Sequence, residues 1–233
     1  MKTKIIATIG PASDNDKTMK ELVEAGASVF RLNTKYGSKE QYMRVVEFCQ
    51  KNDVKSLFDV KFMEILEWLK TIEFDYFALS FATSRAQVEK IRSYFAPRKL
   101  KVIAKIESDE GIEHLDELIE CCEGIMVARG DLGRNIPFEK VPIEQKIIIH
   151  KCNEAGKLVV TATEMLLSMT DSKIPERAES SDVANAILDG SDYLMLSEET
   201  AIGKYPVLAV ETMMKVIKET EKDQNMLEKS LEE

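Results

Sequence analysis

The chain has 233 residues, a length that suits one large α/β domain with a sizeable core. Its hydrophobic and charged fractions, 44% and 31%, are ordinary for a globular protein, and its net charge of −9 argues against nucleic acid as the main partner. The sequence has no apolar run of membrane-span length, and Met1-Lys-Thr-Lys leads directly into a strand pattern, so neither a membrane protein nor a signal peptide is expected.

Eight strand patterns alternate with eight helical patterns along the chain. Short runs rich in β-branched and aromatic residues predict the strands, and the 3.6-residue apolar period between caps and glycines predicts the helices. The predicted strands are residues 4–9, 28–33, 56–60, 76–81, 101–106, 124–128, 157–163 and 193–197. The predicted helices are residues 19–25, 39–51, 64–72, 85–95, 112–121, 142–155, 179–188 and 206–221.

This alternation predicts the fold class. The strands are apolar with little alternation, as expected when helices cover both faces of a parallel sheet. Eight such units indicate a single-domain α/β fold, the TIM (β/α)8 barrel; a doubly wound open sheet is the alternative, but it rarely has eight such regular units. We assign residues 1–221 to the barrel and residues 222–233 to a charged, solvated tail.

The four cysteines, Cys49, Cys121, Cys122 and Cys152, show no CxxC spacing. The pattern therefore predicts neither a zinc site nor a disulfide framework. Free thiols are typical of a reducing compartment, so we expect a cytoplasmic protein.

Polar side chains collect at the carboxyl ends of the predicted strands, where barrel active sites lie. Lys105 and Glu107 follow one apolar run, and Arg129, Gly130 and Asp131 form a glycine-rich turn after the next. Two carboxylates suit a hard divalent cation, and a lysine beside them suits a phosphate or an enolate oxygen. The sequence therefore predicts a metal ion and a small anionic substrate here. The other polar residues at strand ends are Arg31, Asn33, Asp59, Lys61, Ser80, Thr161, Thr163, Glu164, Ser197, Glu198 and Glu199.

Several long motifs resemble those of the pyruvate kinase family. Together they cover about residues 2–219. The motifs are TKIIATIGPAS (3–13), RLN (31–33), AKIE (104–107), GIMVARGDLG (124–133), ATEML (162–166), RAESSDVAN (177–185) and MLSEETA (195–201). The resemblance implies the central barrel of that family. The family also carries a lid domain after the third strand and a C-terminal regulatory domain, and we expect this chain to lack both.

The resemblance implies roles for the strand-end residues. Glu107 and Asp131 would hold Mg²⁺ or Mn²⁺, and Lys105 would neutralise a phosphoryl group or an enolate oxygen. The amides near Gly130, with the Thr163 hydroxyl, would bind a substrate carboxylate. The remaining implied residues are Arg31 at the phosphate, Arg129 and Asn33 at the substrate, and Ser197 and Glu199 near a proton path to the methylene carbon.

The monovalent-cation site of the family is altered in this sequence. Asn33 and Asp59 match its ligands, but Lys35 replaces a serine and Val60 replaces a threonine. Since one ligand position is now a cation and another is apolar, the sequence argues against a K⁺ ion. We hypothesise that the Lys35 ammonium takes the place of that ion.

Other departures concern phosphoryl transfer. Leu66 replaces a phosphate-contacting arginine, Phe62-Met63 replaces the Gly-Pro pair that hinges the lid, and Glu164 and Glu198 add negative charge to the mouth. Phosphoryl transfer needs positioned cations and exclusion of water. Transfer to ADP is therefore expected to be slow or absent.

Three functions follow from these observations. The first is a pyruvate kinase-like enzyme that acts on phosphoenolpyruvate or pyruvate through a metal-stabilised enolate. The second is a metal-dependent lyase, aldolase or decarboxylase of a 2-oxo acid on the same centre. The third is a non-catalytic binding or partner protein, against which the retained metal and carboxylate residues argue. A homo-oligomer, or a partner chain in place of the lid, stays open.

Overall fold

The computed structural model describes residues 2–61 and 63–232, and within them the side chains of Met63 and of residues 223–232 are not described. Eight parallel strands pair in chain order and close into a barrel. The strands are β1 (Lys4–Thr8), β2 (Ala27–Asn33), β3 (Lys55–Val60), β4 (Tyr76–Leu79), β5 (Val102–Ile106), β6 (Gly124–Ala128), β7 (Leu158–Ala162) and β8 (Tyr193–Leu196). The predicted TIM barrel is confirmed.

Helices surround the strands and cover them with one continuous apolar core. Side-chain caps define several helix starts: Asn15 accepts from the Thr18 amide, and Ser38 accepts from the Gln41 amide. Over the described residues, no helix is both long and apolar enough to cross a membrane. The helices are α1 (Asp16–Ala25), α2 (Lys39–Asn52), α3 (Leu66–Leu69), α4 (Arg85–Phe95), α5 (Asp109–Glu113), α6 (Leu115–Cys121), α7 (Arg129–Asn135), α8 (Val141–Glu154), α9 (Arg177–Leu188), α10 (Glu198–Ala201) and α11 (Pro206–Glu232).

Two helical predictions need correction. The glycine-rich turn predicted after β6 is the helix α7, because glycine costs only about 1 kcal/mol in a helix and the Asp131 carboxylate suits its first turn. The last helix was predicted to end near Glu221 but continues to Glu232, since the added segment contains neither glycine nor proline. The sequence also predicts that residues 222–233 form a solvated tail. The structure does not describe side chains from residue 223 onward, so this prediction lies outside the described residues.

A charged layer lies on an apolar floor inside the barrel. The floor is a separate cluster of buried side chains that includes Ile6, Val29, Leu57 and Ile103. Side chains two positions apart on a strand point to the same side, so the next inward residues lie nearer the carboxyl ends. These next residues are buried and polar: Thr8, Arg31, Asp59 and Lys105. The period of two along β1, β2, β3 and β5 therefore places these polar side chains at one end of the barrel.

The apolar floor should contribute strongly to stability. Leu57 is 2% exposed inside the barrel, whereas Leu188 at the end of α9 is 50% exposed. Leu57→Ala should lower the free energy of unfolding by about 2–5 kcal/mol, because it leaves a cavity in a closed interior. The matched change Leu188→Ala should cost less than about 1 kcal/mol. Urea denaturation measures both values, and equal losses would contradict this assignment of the interior.

Candidate active site at the carboxyl end of the barrel

Four charged side chains, on β2, on β3 and at the end of β5, form a continuous chain of contacts at the carboxyl end of the barrel. Arg31 donates through Nε and Nη2 to Asp59 Oδ2, at 2.9 and 2.8 Å. Lys105 Nζ lies 3.1 Å from Asp59 Oδ1 and 2.9 Å from Glu107 Oε1. Thr8 Oγ1 accepts from Arg31 Nη1 at 2.9 Å and holds the guanidinium from the other side. The positive charges of the two cations and the negative charges of the two carboxylates therefore cancel within one cluster.

Burial and ion pairing together set the protonation states in this cluster. Burial alone would raise the pKa of Asp59, but the Lys105 ammonium and the Arg31 guanidinium outweigh it and bring this pKa to about 2. Burial alone would lower the pKa of Lys105, yet Asp59 and Glu107 together raise it above its usual value. The lysine is therefore held as a cation although its side chain is 8% exposed.

Glu107 is held on both of its oxygens. Lys105 takes Oε1, and the backbone N–H of Phe81 donates to Oε2 at 2.7 Å. Phe81, which donates this amide, has a φ of 49°, in the left-handed region. Burial raises the pKa of Glu107, and the nearby ammonium offsets this only in part. Lys105 and the Phe81 amide thus fix the orientation of the buried Glu107 side chain.

Asp131, the second predicted metal ligand, lies in the first turn of α7. Its side chain is 46% exposed and pairs with Arg134 at 3.2 Å. The Asn135 side-chain amide donates to the backbone oxygens of Glu107 at 2.9 Å and of Asp131 at 2.8 Å. One side chain thus ties together the backbones of both predicted ligands.

The donor chemistry of this pair fits a hard divalent cation. Mg²⁺ is commonly bound by one or two carboxylates, with water and substrate oxygens completing the shell. Glu107 and Asp131 supply such a pair. Within residues 2–61 and 63–232, no group of three or more His, Cys, Asp or Glu side chains is arranged to hold a metal ion. Oxygens from substrate and water would therefore have to supply the other ligands.

The predicted carboxylate-binding turn connects α7 with the loop after β7. The Gly130 amide donates to Thr163 Oγ1 at 2.7 Å, and this hydroxyl donates to the Ala162 carbonyl at 2.6 Å. A substrate carboxylate that binds the Gly130 amide would have to replace the Thr163 hydroxyl there. The structure thus brings together the two groups that were predicted to share this task.

Arg129 is placed differently from its predicted contact with substrate. Its side chain is 11% exposed, and each guanidinium nitrogen has a protein partner. Those partners are Asp182, Gln145 and the loop after β7. Arg129 is the first residue of α7, and its guanidinium is taken up by the loop after β7 and by side chains of α8 and α9.

Ser197 and Glu199 lie together at the end of β8. Glu199 is fully buried and accepts the backbone N–H groups of Leu166 at 3.0 Å and Ser197 at 2.7 Å. Burial raises the pKa of Glu199 despite these hydrogen bonds. The Ser197 hydroxyl is buried and has no hydrogen-bond partner among the described residues. Glu199 therefore joins two loops, while Ser197 keeps a free hydroxyl.

The structure places the Lys35 ammonium at the Tyr36 ring, and its role as a substitute for a monovalent ion stays a hypothesis. The Lys35 ammonium lies 5.0 Å from the centre of the Tyr36 ring, and only its backbone N–H contacts Asn33, by donating to Oδ1 at 3.0 Å. Asp59 is neutralised by Arg31 and Lys105 instead. Phe62 and the Met63 side chain, where the hinge pair of the lid is replaced, lie outside the described residues.

Sequence reasoning missed three groups that support the site. Thr8 follows Ile6 by two positions on β1, so the period of two could have identified it as an inward residue. Phe81 and Asn135 act through a backbone amide and through backbone oxygens, respectively. A pattern of side-chain types carries no signal for such contacts.

Comparison with known proteins agrees with this architecture. The family model "Pyruvate kinase, barrel domain" matches residues 1–64 and 59–210. A pyruvate kinase of Thermococcus litoralis is 34% identical over 94% of this chain and 70% of its own length. One from Geobacillus stearothermophilus is 51% identical over 63% of this chain and 26% of its own length. A cytosolic isozyme from Solanum tuberosum is 45% identical over 72% of this chain and 34% of its own length.

The position of the missing lid agrees with these matches. The Thermococcus alignment runs over 331 positions, more than the 233 residues of this chain, so the relative contains residues that this chain lacks. The two segments of the family match meet at residues 59–64, at the end of β3, where only Lys61 and Phe62 precede the 3₁₀ turn Met63–Ile65. The family model and the Thermococcus relative each match most of the sequence, and the chain therefore belongs to the pyruvate kinase family.

Proposed function

We propose that this chain is a pyruvate kinase-like enzyme that binds phosphoenolpyruvate or pyruvate with a divalent cation and acts through the enolate. The observation that carries the proposal is the buried contact between Lys105 and Glu107 at 2.9 Å, on the apolar floor of the barrel. A low-dielectric setting strengthens the pull of such an ammonium on an oxygen anion. A cytoplasmic location belongs to the same proposal, supported by four buried free cysteines.

Glu107 and Asp131 are the residues that would hold Mg²⁺ or Mn²⁺. When bound, such an ion supplies positive charge that favours an enolate over the keto acid. The Asn135 side chain ties the backbones of these two residues together. The substrate carboxylate would bind the Gly130 amide in place of the Thr163 hydroxyl.

The other residues would position charge and protons. Lys105 would neutralise the developing oxygen anion, and Asp59 and Arg31 hold it in place for that task. The Ser197 hydroxyl has no internal hydrogen-bond partner among the described residues, so it is free to hold a proton or a water near the methylene carbon. Glu199 would act through the backbone of the two loops that it joins.

Phosphoryl transfer to ADP should be slow or absent in this chain. Glu164 and Glu198 are exposed and add negative charge beside the site, where a nucleotide polyphosphate would approach. The short connection after β3 provides no domain to exclude water from the transferred group. This same connection favours the second candidate, a metal-dependent lyase, aldolase or decarboxylase of a 2-oxo acid, because those reactions pass through an enolate without phosphoryl transfer.

Proton exchange tests the enolate centre separately from the kinase reaction. In D₂O with Mg²⁺ or Mn²⁺, the protein should exchange the methyl protons of pyruvate for deuterium, because the enolate accepts a deuteron when it reverts. NMR follows this loss of signal, and a coupled assay follows ATP formation from phosphoenolpyruvate and ADP. Exchange with little ATP formation is the expected result. Absence of both exchange and metal binding would favour a non-catalytic protein.

Glu107→Gln tests the metal assignment. The change removes the charge but keeps an acceptor for the Phe81 amide, so the fold should persist while Mn²⁺ affinity falls by roughly tenfold or more. Metal binding can be followed by electron paramagnetic resonance, and folding by circular dichroism. Glu110→Gln, the same change at an exposed position in α5, is the matched control and should bind metal normally. Unchanged Mn²⁺ affinity in Glu107→Gln would rule out Glu107 as a ligand.

The balanced charge around Asp59 predicts independence from K⁺. The exchange rate should agree within about twofold between Na⁺ and K⁺ buffers of equal ionic strength, because Arg31 and Lys105 already neutralise Asp59. Lys35→Met should behave in the same way, since its ammonium lies at the Tyr36 ring. Clear K⁺ dependence of the wild type would contradict the prediction, and dependence confined to Lys35→Met would support the hypothesis that Lys35 replaces the ion.

A further inference from the structure

Two consecutive residues after β7 adopt a backbone conformation that side chains other than glycine rarely adopt. Thr163 has a φ of 72° and Glu164 a φ of 53°. Left-handed backbone at non-glycine residues persists only where surrounding contacts hold it, and it is concentrated at binding and catalytic sites. The contacts that hold this turn are therefore of functional interest, because Thr163 belongs to the proposed substrate site.

The Arg129 side chain makes those contacts. Its Nε and Nη2 atoms donate to the Thr163 carbonyl at 3.2 and 2.6 Å, and Nη2 also donates to the Glu164 carbonyl at 3.1 Å. One planar guanidinium thus donates hydrogen bonds to the backbone carbonyls of both left-handed residues. A guanidinium, which is planar and has several N–H donors, can bind two carbonyl oxygens at once better than a lysine ammonium can.

The guanidinium is itself anchored in the wall of helices outside the barrel. Nη1 donates to Asp182 on α9 at 2.6 Å and to Gln145 on α8 at 3.2 Å. The charge of Asp182 strengthens the first of these bonds. Arg129 therefore links two packed helices to the turn after β7, and it does so while its own backbone begins α7.

This linkage determines where the Thr163 hydroxyl lies. Thr163 Oγ1 accepts from the Gly130 amide at 2.7 Å, and Gly130 follows Arg129 directly in the chain. We propose that Arg129 is a positioning residue: it holds the left-handed turn so that the Thr163 hydroxyl stays beside the Gly130 amide, where a substrate carboxylate would take its place on that amide. The statement about substrate rests on the proposed function, whereas the statement about the turn depends on the structure alone.

Arg129→Lys tests whether the hydrogen bonds from Arg129 hold the turn after β7. Lysine keeps the positive charge beside Asp182 but cannot reach both carbonyls with one nitrogen, so the Gly130 amide should exchange its hydrogen about tenfold faster. Oxalate, an enolate-like dianion, should bind the Mg²⁺-loaded full chain roughly tenfold more weakly by calorimetry. Wild-type exchange and oxalate affinity in Arg129→Lys would overturn the proposal.

Arg98→Lys is the matched control. Arg98 also holds two backbone carbonyls, those of Ile72 at 2.7 Å and Phe74 at 2.5 Å, but it does so ahead of β4 at the amino end of the barrel. This variant should leave both Gly130 exchange and oxalate affinity unchanged. An equal loss in both variants would show a general effect of arginine removal and would overturn the specific role of Arg129.

A second variant separates positioning from plain stabilisation. Glycine adopts left-handed backbone without steric cost, so Glu164→Gly should make the turn less dependent on Arg129. The loss of oxalate affinity caused by Arg129→Lys should shrink by about threefold in this background. An equal loss in both backgrounds would overturn the proposal. If the wild type itself fails to bind oxalate, the proposed function fails, and Gly130 exchange still decides the role of Arg129.

Discussion

A buried ammonium is the constraint on which the carboxyl end of this barrel depends. Lys105 lies above an apolar floor, where a charge without a partner would be costly. Asp59 and Glu107 compensate it on two sides, and Arg31 pairs with Asp59, so that two cations face two carboxylates. Removing Asp59 would leave the buried Arg31 guanidinium without its carboxylate, a loss of about 3–5 kcal/mol in comparable cases. The four side chains are therefore coupled and must be considered as one unit in any account of stability or chemistry.

The same unit shapes how the proposed ligands would bind. Glu107 already shares its two oxygens between Lys105 and the Phe81 amide, so a cation arriving at Glu107 would come close to an existing ammonium. An anionic substrate between the two cations removes that repulsion, since it supplies oxygens to the metal and negative charge to Lys105. In the proposed function, metal and substrate thus favour each other's binding. The half-exposed Asp131 gives the ion a solvent-facing approach that Glu107 does not offer.

The barrel and its charged layer could be predicted because both follow from short-range periodicity. Lys105 is the last but one residue of the buried strand β5 and Glu107 directly follows it, which places both at its carboxyl end. The direction of Arg129 could not be read in this way. Its partners belong to a loop 34 residues later and to two helices, so its orientation depends on tertiary packing. Glu199 is similar: the sequence shows a carboxylate at a strand end, but not the two backbone amides that turn toward it.

The missing insertion affects the two halves of the family's chemistry differently. Phosphoryl transfer spreads negative charge over several oxygens and needs aligned cations in a site that excludes water. Stabilising an enolate needs positive charge at one oxygen, and water is an acceptable source of the returning proton. In the proposed function, Lys105 and a cation held by Glu107 would meet the second requirement from within the barrel. Exposed Glu164 and Glu198 act against the first. In the proposed function, a barrel without the lid would therefore favour enolate chemistry over phosphoryl transfer, because Lys105 and Glu107 lie within the barrel itself.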